Sequence, residues 1–531
     1  LLLRYLKKIF YNSVAELRLK KTFAYILPAM MVLGGATACT DFIEIDPENK
    51  VPEQGVDFTN KNNMYQPVVG AYSKVRTQGM HWCNALLMFT RDGDVWSGRT
   101  DDQGDAVAFG RKFNYNNSFW ALNQVWMNFY DIIRITNAAL QSLDGYAEYL
   151  AAGSEDYKTY ESYCGEVRTI RAWAYYCLVT NFGPTVIYRD NLQTDFRRST
   201  VEAVYNYMLE DLNYAIDKLP RMRPNQMEHK GAVTAFTAQA LAARIYLLKG
   251  DYAQVETLTD DIIKNGGFRL YDDFYQLFKI PGKLCDESLF ECQVTDYGNG
   301  SGDYLGVDQW FNFQGPNMAE RYDEVVNADG TISYKQAEGT KSIGGWNFIG
   351  YEPEFVAWAE ARGEGVRAET SFLKALSKTR EGWQVGPTSA TKTDCWNGKG
   401  YLPYNQMTLP RTTYGANNNV RIIRYAEVLL MNSEAKVRLG KDGDAGYNEV
   451  RRRAGMSTKT GVTLKDVMDE RRMELCGEWC ARYVDLVRTG DAATVLGPKG
   501  WTAEKTYWPI PANQLDDLPD LKLEPIDGIA E

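Results

Sequence analysis

The chain has 531 residues, 69 acidic against 59 basic side chains, a net charge of −10 and 44% hydrophobic residues. That balance excludes a nucleic-acid partner and a polybasic membrane-binding face, and it describes a globular chain long enough for two lobes. Its two histidines, His81 and His229, lie far apart, which removes most histidine metal sites and leaves little room for a Ser-His-Asp or Cys-His catalytic group.

In chain order, Arg18, Lys20 and Lys21 precede an uncharged run over 22–38 that ends in small residues. This is the layout of a secretory signal. Pro28 and two glycines interrupt it, and it falls short of the roughly 20 apolar residues a spanning helix needs. Gly35-Ala36-Thr37-Ala38 before Cys39 reads as a bacterial lipobox, which predicts loss of 1–38 and lipidation of Cys39. Residues 1–38 carry six basic residues and one acid, so their removal takes the net charge from −10 to −15. The remaining cysteines, Cys83, Cys164, Cys177, Cys285, Cys292, Cys395, Cys476 and Cys480, are scattered without zinc spacing. They are expected to be small buried hydrophobes.

Helical periodicity then dominates. Val167, Ile170, Ala174 and Leu178 form one stripe over 163–182, and Val204, Met208, Leu212 and Ile216 form another over 200–219. Residues 231–266 predict an alanine-rich helix, a break at Gly250 and a second helix, which is the length and layout of a tetratricopeptide repeat. Residues 421–454 predict a second such pair, broken at Gly440. Between the pairs, 267–420 loses the helical period and gathers glycine, asparagine and aromatics, as 91–120 does earlier. A loop region that long within a compact chain is usually functional. The fold is therefore expected to be mainly α, built from tetratricopeptide-like helix pairs with a large irregular insertion. The divisions are a leader over 1–38, an N-terminal part over 39–266, the insertion over 267–420 and a helical part over 421–531.

Several segments, taken together and in order, are similar to one family. They are "CTDFIEIDPE" (39–48), "WMNFYDIIRITNAAL" (126–140), "EVRTIRAWAYYCLVTNFGPTVI" (166–187), "RYAEVLLMNSEAKVRLG", "NEVRRRAGM", "DERRMELCGEWCARYVDLVRTG" and "WPIPANQL". The chain resembles the SusD/RagB family, surface nutrient-binding lipoproteins of the Bacteroidetes. The resemblance implies a SusD-like helical fold whose more variable half supplies ligand loops. It also implies a membrane attachment through the lipid on Cys39 and a SusC-like TonB-dependent outer-membrane transporter as partner, with the protein facing outward from the cell surface. The ligand would be an oligosaccharide or, in one branch, a peptide; a tetratricopeptide scaffold for other proteins is a third reading.

The charges Glu470, Arg471, Arg472, Glu474, Glu478, Arg482, Asp485 and Arg488 crowd onto one predicted helix at spacings that allow pairing, such as Glu478 with Arg482 and Asp485 with Arg488. These, with Glu166, Arg168 and Arg171, read as ion pairs that hold the fold. Glycoside hydrolysis needs two carboxylates about 5–10 Å apart, but among 69 acids some pair always meets that distance, and no hydrolase motif stands out. No enzyme activity and no cofactor are expected. The acidic stretch Asp92, Asp94, Asp101, Asp102 and Asp105 lacks the EF-hand order, so no metal is expected either.

Trp and Tyr offer a flat apolar face with a polar tip, which suits a sugar ring. The predicted ligand residues, Arg91, Asp94, Trp96, Trp120, Asn123, Tyr304, Trp310, Phe313, Trp346 and Tyr351, lie in the two segments that the resemblance favours, 91–123 and 304–351. Large aromatics mostly bury, so only one or two of these rings are expected to line the site. The pairings "DVW", "DQWFNF" and "GWNF" favour a saccharide over a peptide.

Overall fold

The computed structural model describes residues 55–97, 104–294, 308–388, 393–407, 418–479 and 481–530. Cys39, Tyr304 and Cys480 lie outside them. From the N-terminal side, α1 (Gln66–Lys74) and α2 (Trp82–Phe89) lead into two long helices, α3 (Trp120–Ala147) and α4 (Glu155–Phe182), followed by α5 (Val201–Lys218). Ser154 and Thr200 cap α4 and α5 by accepting from the amides of Tyr157 and Ala203. Gly183, at φ +70°, ends α4 at the Asn-Phe-Gly motif.

The predicted pair over 231–266 forms as α6 (Ala235–Lys249) and α7 (Tyr252–Asn265). Gly250 takes the left-handed conformation between them, and Asp251 caps α7 through the Gln254 amide. Alanines bury almost the whole of α6, so its neighbours approach closely. In the insertion, α8 (Asp308–Gln314) and α9 (Pro353–Ala361) are the helices that matter below. The second pair forms as α10 (Tyr425–Arg438) and α11 (Asp444–Arg453). Its first predicted residues instead make a strand, Val420–Arg424, antiparallel to Ser288–Cys292. The two pairs, far apart in sequence, are neighbours in space. Helix α3 packs on α4, α4 on α5, α5 on α6, α6 on α7, and α7 on α10.

Residues Phe58–Glu531 cluster as one compact unit rather than two lobes. Strand pairing explains why the insertion does not separate. The early strand Val95–Trp96 pairs with Gly350–Tyr351, which pairs with Cys395–Asn397 and through it with Phe372–Lys374, all antiparallel. One sheet thus joins the 91–97 loop to the insertion.

The C-terminal charges hold this assembly, although not as one helix. Helix α12 (Leu464–Glu474) and helix α13 (Ala481–Thr489) are separated by a turn at Gly477, φ +65°, where a Cβ would strike Tyr351 and Asn397. Asp485 and Arg488 pair as expected, at 2.7 Å. Glu478 sits in the turn and so binds Arg424 and Lys399, each at 2.7 Å, in place of the expected Arg482. Fully buried Glu474 accepts from Arg424 at 2.5 Å, from Arg367 at 3.2 Å and from Arg453. Arg171 and Arg168 both bind Asp211.

Glu166 departs from the expected ion pair. Its carboxyl is buried among hydroxyls, accepting from Tyr72 at 2.7 Å and Tyr65 at 3.3 Å. Burial pushes this carboxyl up to about 8, against the lowering pull of Tyr72 and Tyr65. The unfolded chain releases the same proton near pH 4.3, so between about pH 4 and 8 the contribution of Glu166 to stability falls as pH rises. Glu166→Gln keeps the shape without the titration. Its urea midpoint relative to wild type should therefore climb between pH 5 and pH 8; parallel profiles would mean the carboxyl ionises within the fold.

Candidate functional site

Helices α2 and α3 each begin with a tryptophan. His81 caps α2, its Nδ1 accepting from the Cys83 amide at 3.3 Å, and Trp82 follows as the first helical residue. Burial lowers the His81 pKa, so the ring is neutral near pH 7 with its proton on Nε2, a hydrogen-bond donor. The helices are locked together by Asn128, which donates to Asn84 at 3.0 Å, while Asn84 donates to the carbonyls of Gln78 and Gly79. This fixes Trp82 against Trp120, with ring centroids 5.6 Å apart and planes inclined at 60°.

The insertion supplies the third ring. Asn347 stands at φ +64°, a left-handed conformation that asparagine tolerates better than most residues. Its side chain holds the bend by accepting from the Asn317 amide and donating to the Gly345 carbonyl. The bend sends the rings on either side in different directions. Phe348 turns inward and stacks on Phe313, centroids 5.1 Å apart. Trp346 stays half-buried, nearly perpendicular to Trp82 with ring centroids 5.8 Å apart. The Trp346 amide donates to the Asn312 carbonyl at 2.8 Å, and the Asn312 side chain, turned so that its oxygen faces the indole, accepts from Nε1 at 2.9 Å.

The result is an exposed aromatic surface on a buried aromatic bed. Trp120 is 54% exposed, Trp82 and Trp346 are half-buried, and Phe313 and Phe348 lie beneath Trp82. Asn123, one turn along α3, accepts from Gln514 at 2.9 Å and donates toward the sulfur of exposed Met127. Chemically, this is a set of inclined apolar faces edged by two amides and an imidazole N–H. Such a surface binds a ligand with apolar faces and a hydroxyl rim.

The structure brings Trp120, Asn123 and Trp346 to this surface, with Phe313 as its buried support. Tyr304 lies outside the described residues, and the other predicted residues, Arg91, Asp94, Trp96, Trp310 and Tyr351, face inward, where a ring or charge has no free face for a ligand. Trp96 is buried beneath Arg111, whose guanidinium lies 4.5 Å from the ring, and Tyr351 is buried beside it in the same sheet, bonded to Asn397. Trp310 packs edge-on against Phe89 and Trp479. Arg91 is buried over Tyr483 and Trp508, and Asp94 is held by Arg472 at 2.7 and 2.5 Å. Sequence reasoning missed Trp82, Phe348 and Gln514. An aromatic directly after a capping His81, at the start of an apolar helix, was the available signal for Trp82.

Among the described residues no cluster of His, Cys, Asp or Glu is placed to hold a metal ion, and no helix is long and apolar enough to cross a membrane. A mainly helical scaffold here presents a supported tryptophan surface of a kind that suits ligand binding. Two family models match in tandem, one described as "Starch-binding associating with outer membrane" over 41–247 and the SusD family over 307–525, and this chain belongs to the SusD family. A SusD-like protein of Bacteroides ovatus is 25% identical over 69% of this chain and 65% of its own length, so the match spans just under two thirds of that relative. Among solved structures, a laminarin-binding SusD-like protein superposes with TM-score 0.70 at 23% identity, covering 87% of this chain and 98% of that one. Surface glycan-binding protein A from Bacteroides thetaiotaomicron, solved with laminarihexaose, gives TM-score 0.67 at 21% identity over 86% and 97%.

Proposed function

We propose that this chain is a cell-surface glycan-binding lipoprotein that captures oligosaccharides on the Trp82–Trp120–Trp346 surface and delivers them to a TonB-dependent outer-membrane transporter. The observation that carries the reading is exposure. At 54% exposed, Trp120 is costly to leave in water unless something covers it, and it shares one aromatic bed with the partly buried Trp82 and Trp346. The amides of Asn123 and Gln514 suit sugar hydroxyls and transfer no protons, which supports binding over turnover. Folds of this kind carry laminarin, laminarihexaose and a xylogluco-oligosaccharide in other proteins, which favours a glucan here. The outer-membrane description of the family and the lipobox before Cys39 support a lipid-anchored location, since membrane attachment through acyl chains needs no spanning helix.

Two measurements test this. Calorimetric titration of the purified protein with a panel of glucan oligosaccharides should yield saturable binding of at least one, with the glycan recovered intact. Binding of mixed peptides and of no glycan overturns the saccharide reading, and cleavage of the glycan overturns the non-enzymic one. Separately, Cys39→Ala should shift the protein out of the membrane fraction in a strain lacking the transporter. Undiminished membrane association would remove the lipid anchor.

A further inference from the structure

A cleft of about 300 Å³ lies between α1, the turn after it, the 229–232 loop and the strand Ser288–Cys292. It shares no lining residue with the tryptophan surface. Two cations line it, half-buried Arg76 and exposed Lys230. Neither has an ion-pair or hydrogen-bond partner among the described residues, whereas the arginines of the interior (Arg171, Arg244, Arg367 and Arg424) are each paired with carboxylates. Glu291, the carboxylate of the lining, is buried, lies 3.6 Å from Arg421 and accepts from the Leu284 amide and Asn419, so the two cations without partners among the described residues form a local positive focus in a chain of net charge −10.

The wall beside them is aromatic and fixed in place. Tyr65 stacks on His229, centroids 3.6 Å apart and planes within 9°, while the hydroxyls of Tyr65 and Tyr72 are both tied down to buried Glu166. Tyr65 is covered on one face by His229 and flanked by Tyr163 at 4.8 Å, so what the two rings still present to the cleft is held in place without the entropy cost of ordering it. Gln293 adds an amide whose nitrogen donates to the Glu291 carbonyl and whose oxygen accepts from Asn419. A fixed ring wall is suited to a sugar face, an arginine fork to a carboxylate, and the volume is at the small end for ligand pockets, about one or two sugar rings.

We infer that this cleft is a second binding site, for an acidic sugar residue whose carboxylate meets Arg76 and Lys230 and whose ring lies against the Tyr65–Tyr72 wall. It is independent of the neutral-glycan surface. The probe is trigalacturonate, with its methyl ester as a ligand of the same rings without the charge, titrated calorimetrically into the full protein. The acid should bind at least tenfold tighter than the ester, and raising NaCl from about 0.05 to 0.5 M should weaken it severalfold, since a partly exposed ion pair is screened. Arg76→Ala with Lys230→Ala should cost the acid at least tenfold, and Lys230→Ala alone, at an exposed position that leaves packing intact, a smaller factor in the same direction. Trp82→Ala and Trp120→Ala should leave trigalacturonate binding unchanged, which separates this site from the tryptophan surface. Absence of binding, equal affinity for acid and ester, an unaffected double variant, or an aspartate-rich peptide displacing the sugar from the cleft would each overturn the assignment.

Discussion

Glu474→Ala should lower the stability of the protein by about 3–5 kcal/mol, read as a fall in the urea unfolding midpoint. Glu474 is fully buried and faces three guanidiniums, those of Arg424, Arg453 and Arg367. Burial alone would raise its pKa, but those three arginines outweigh it and hold the carboxyl well below its ordinary range. Removing the carboxylate leaves three charges buried with too few partners. Arg424 would still reach Glu287 at 2.8 Å and Glu478 at 2.7 Å, so the loss is large without being total. Asp485 is also held low, at about 2, where Arg471 and Arg488 outweigh the raising effect of burial. For both groups the folded pKa lies below the unfolded one, so their contribution is complete above about pH 4 to 5 and is lost as pH falls toward 2. Wild type should therefore lose stability steeply on acidification, and Glu474→Ala should lose less over the same interval. A cost under about 1 kcal/mol, or an unchanged acid slope, would mean that these charges do not hold the fold.

Trp82→Ala and Trp120→Ala should each weaken glycan binding more than tenfold. Covering one face of an indole, about 80–100 Å², is worth roughly 2 kcal/mol before ordering costs, and tenfold corresponds to about 1.4 kcal/mol. Trp120 should act by direct loss of contact, because it is 54% exposed and its removal uncovers little. Its variant should keep wild-type stability. Trp82 touches Trp120, Trp346, Phe313 and Phe348, so its loss also frees the other rings. Trp96→Ala and Trp310→Ala should behave in the opposite way. Both rings are more than nine-tenths buried, so truncation opens a cavity costing about 3–5 kcal/mol while the folded fraction binds glycan normally. Unchanged affinity in Trp120→Ala would sink the proposed surface. A specific loss in Trp310→Ala would relocate the site to the interior of the insertion.

What the sequence determined by itself was the part of the protein governed by local rules. The two glycine-broken pairs were legible because a helix writes its buried face every three to four residues and its end in a glycine that can turn left, as Gly250 does. The structural role of the C-terminal charges was legible for the same reason, and the one pairing that changed, Glu478, changed because Gly477 breaks the helix. The lipobox too is a local pattern, although Cys39 lies outside the described residues. Tertiary structure decided which tryptophans face out. Trp96 and Trp120 sit in similar glycine- and asparagine-rich sequence, yet one is 8% exposed and the other 54%. The difference is made by tertiary partners near and far in sequence, with Trp96 held under Arg111 in a strand that pairs with Gly350–Tyr351 and Trp120 left open beside Trp82 and Trp346. A residue's own neighbours set its backbone, but its exposure is what remains after every other segment has packed.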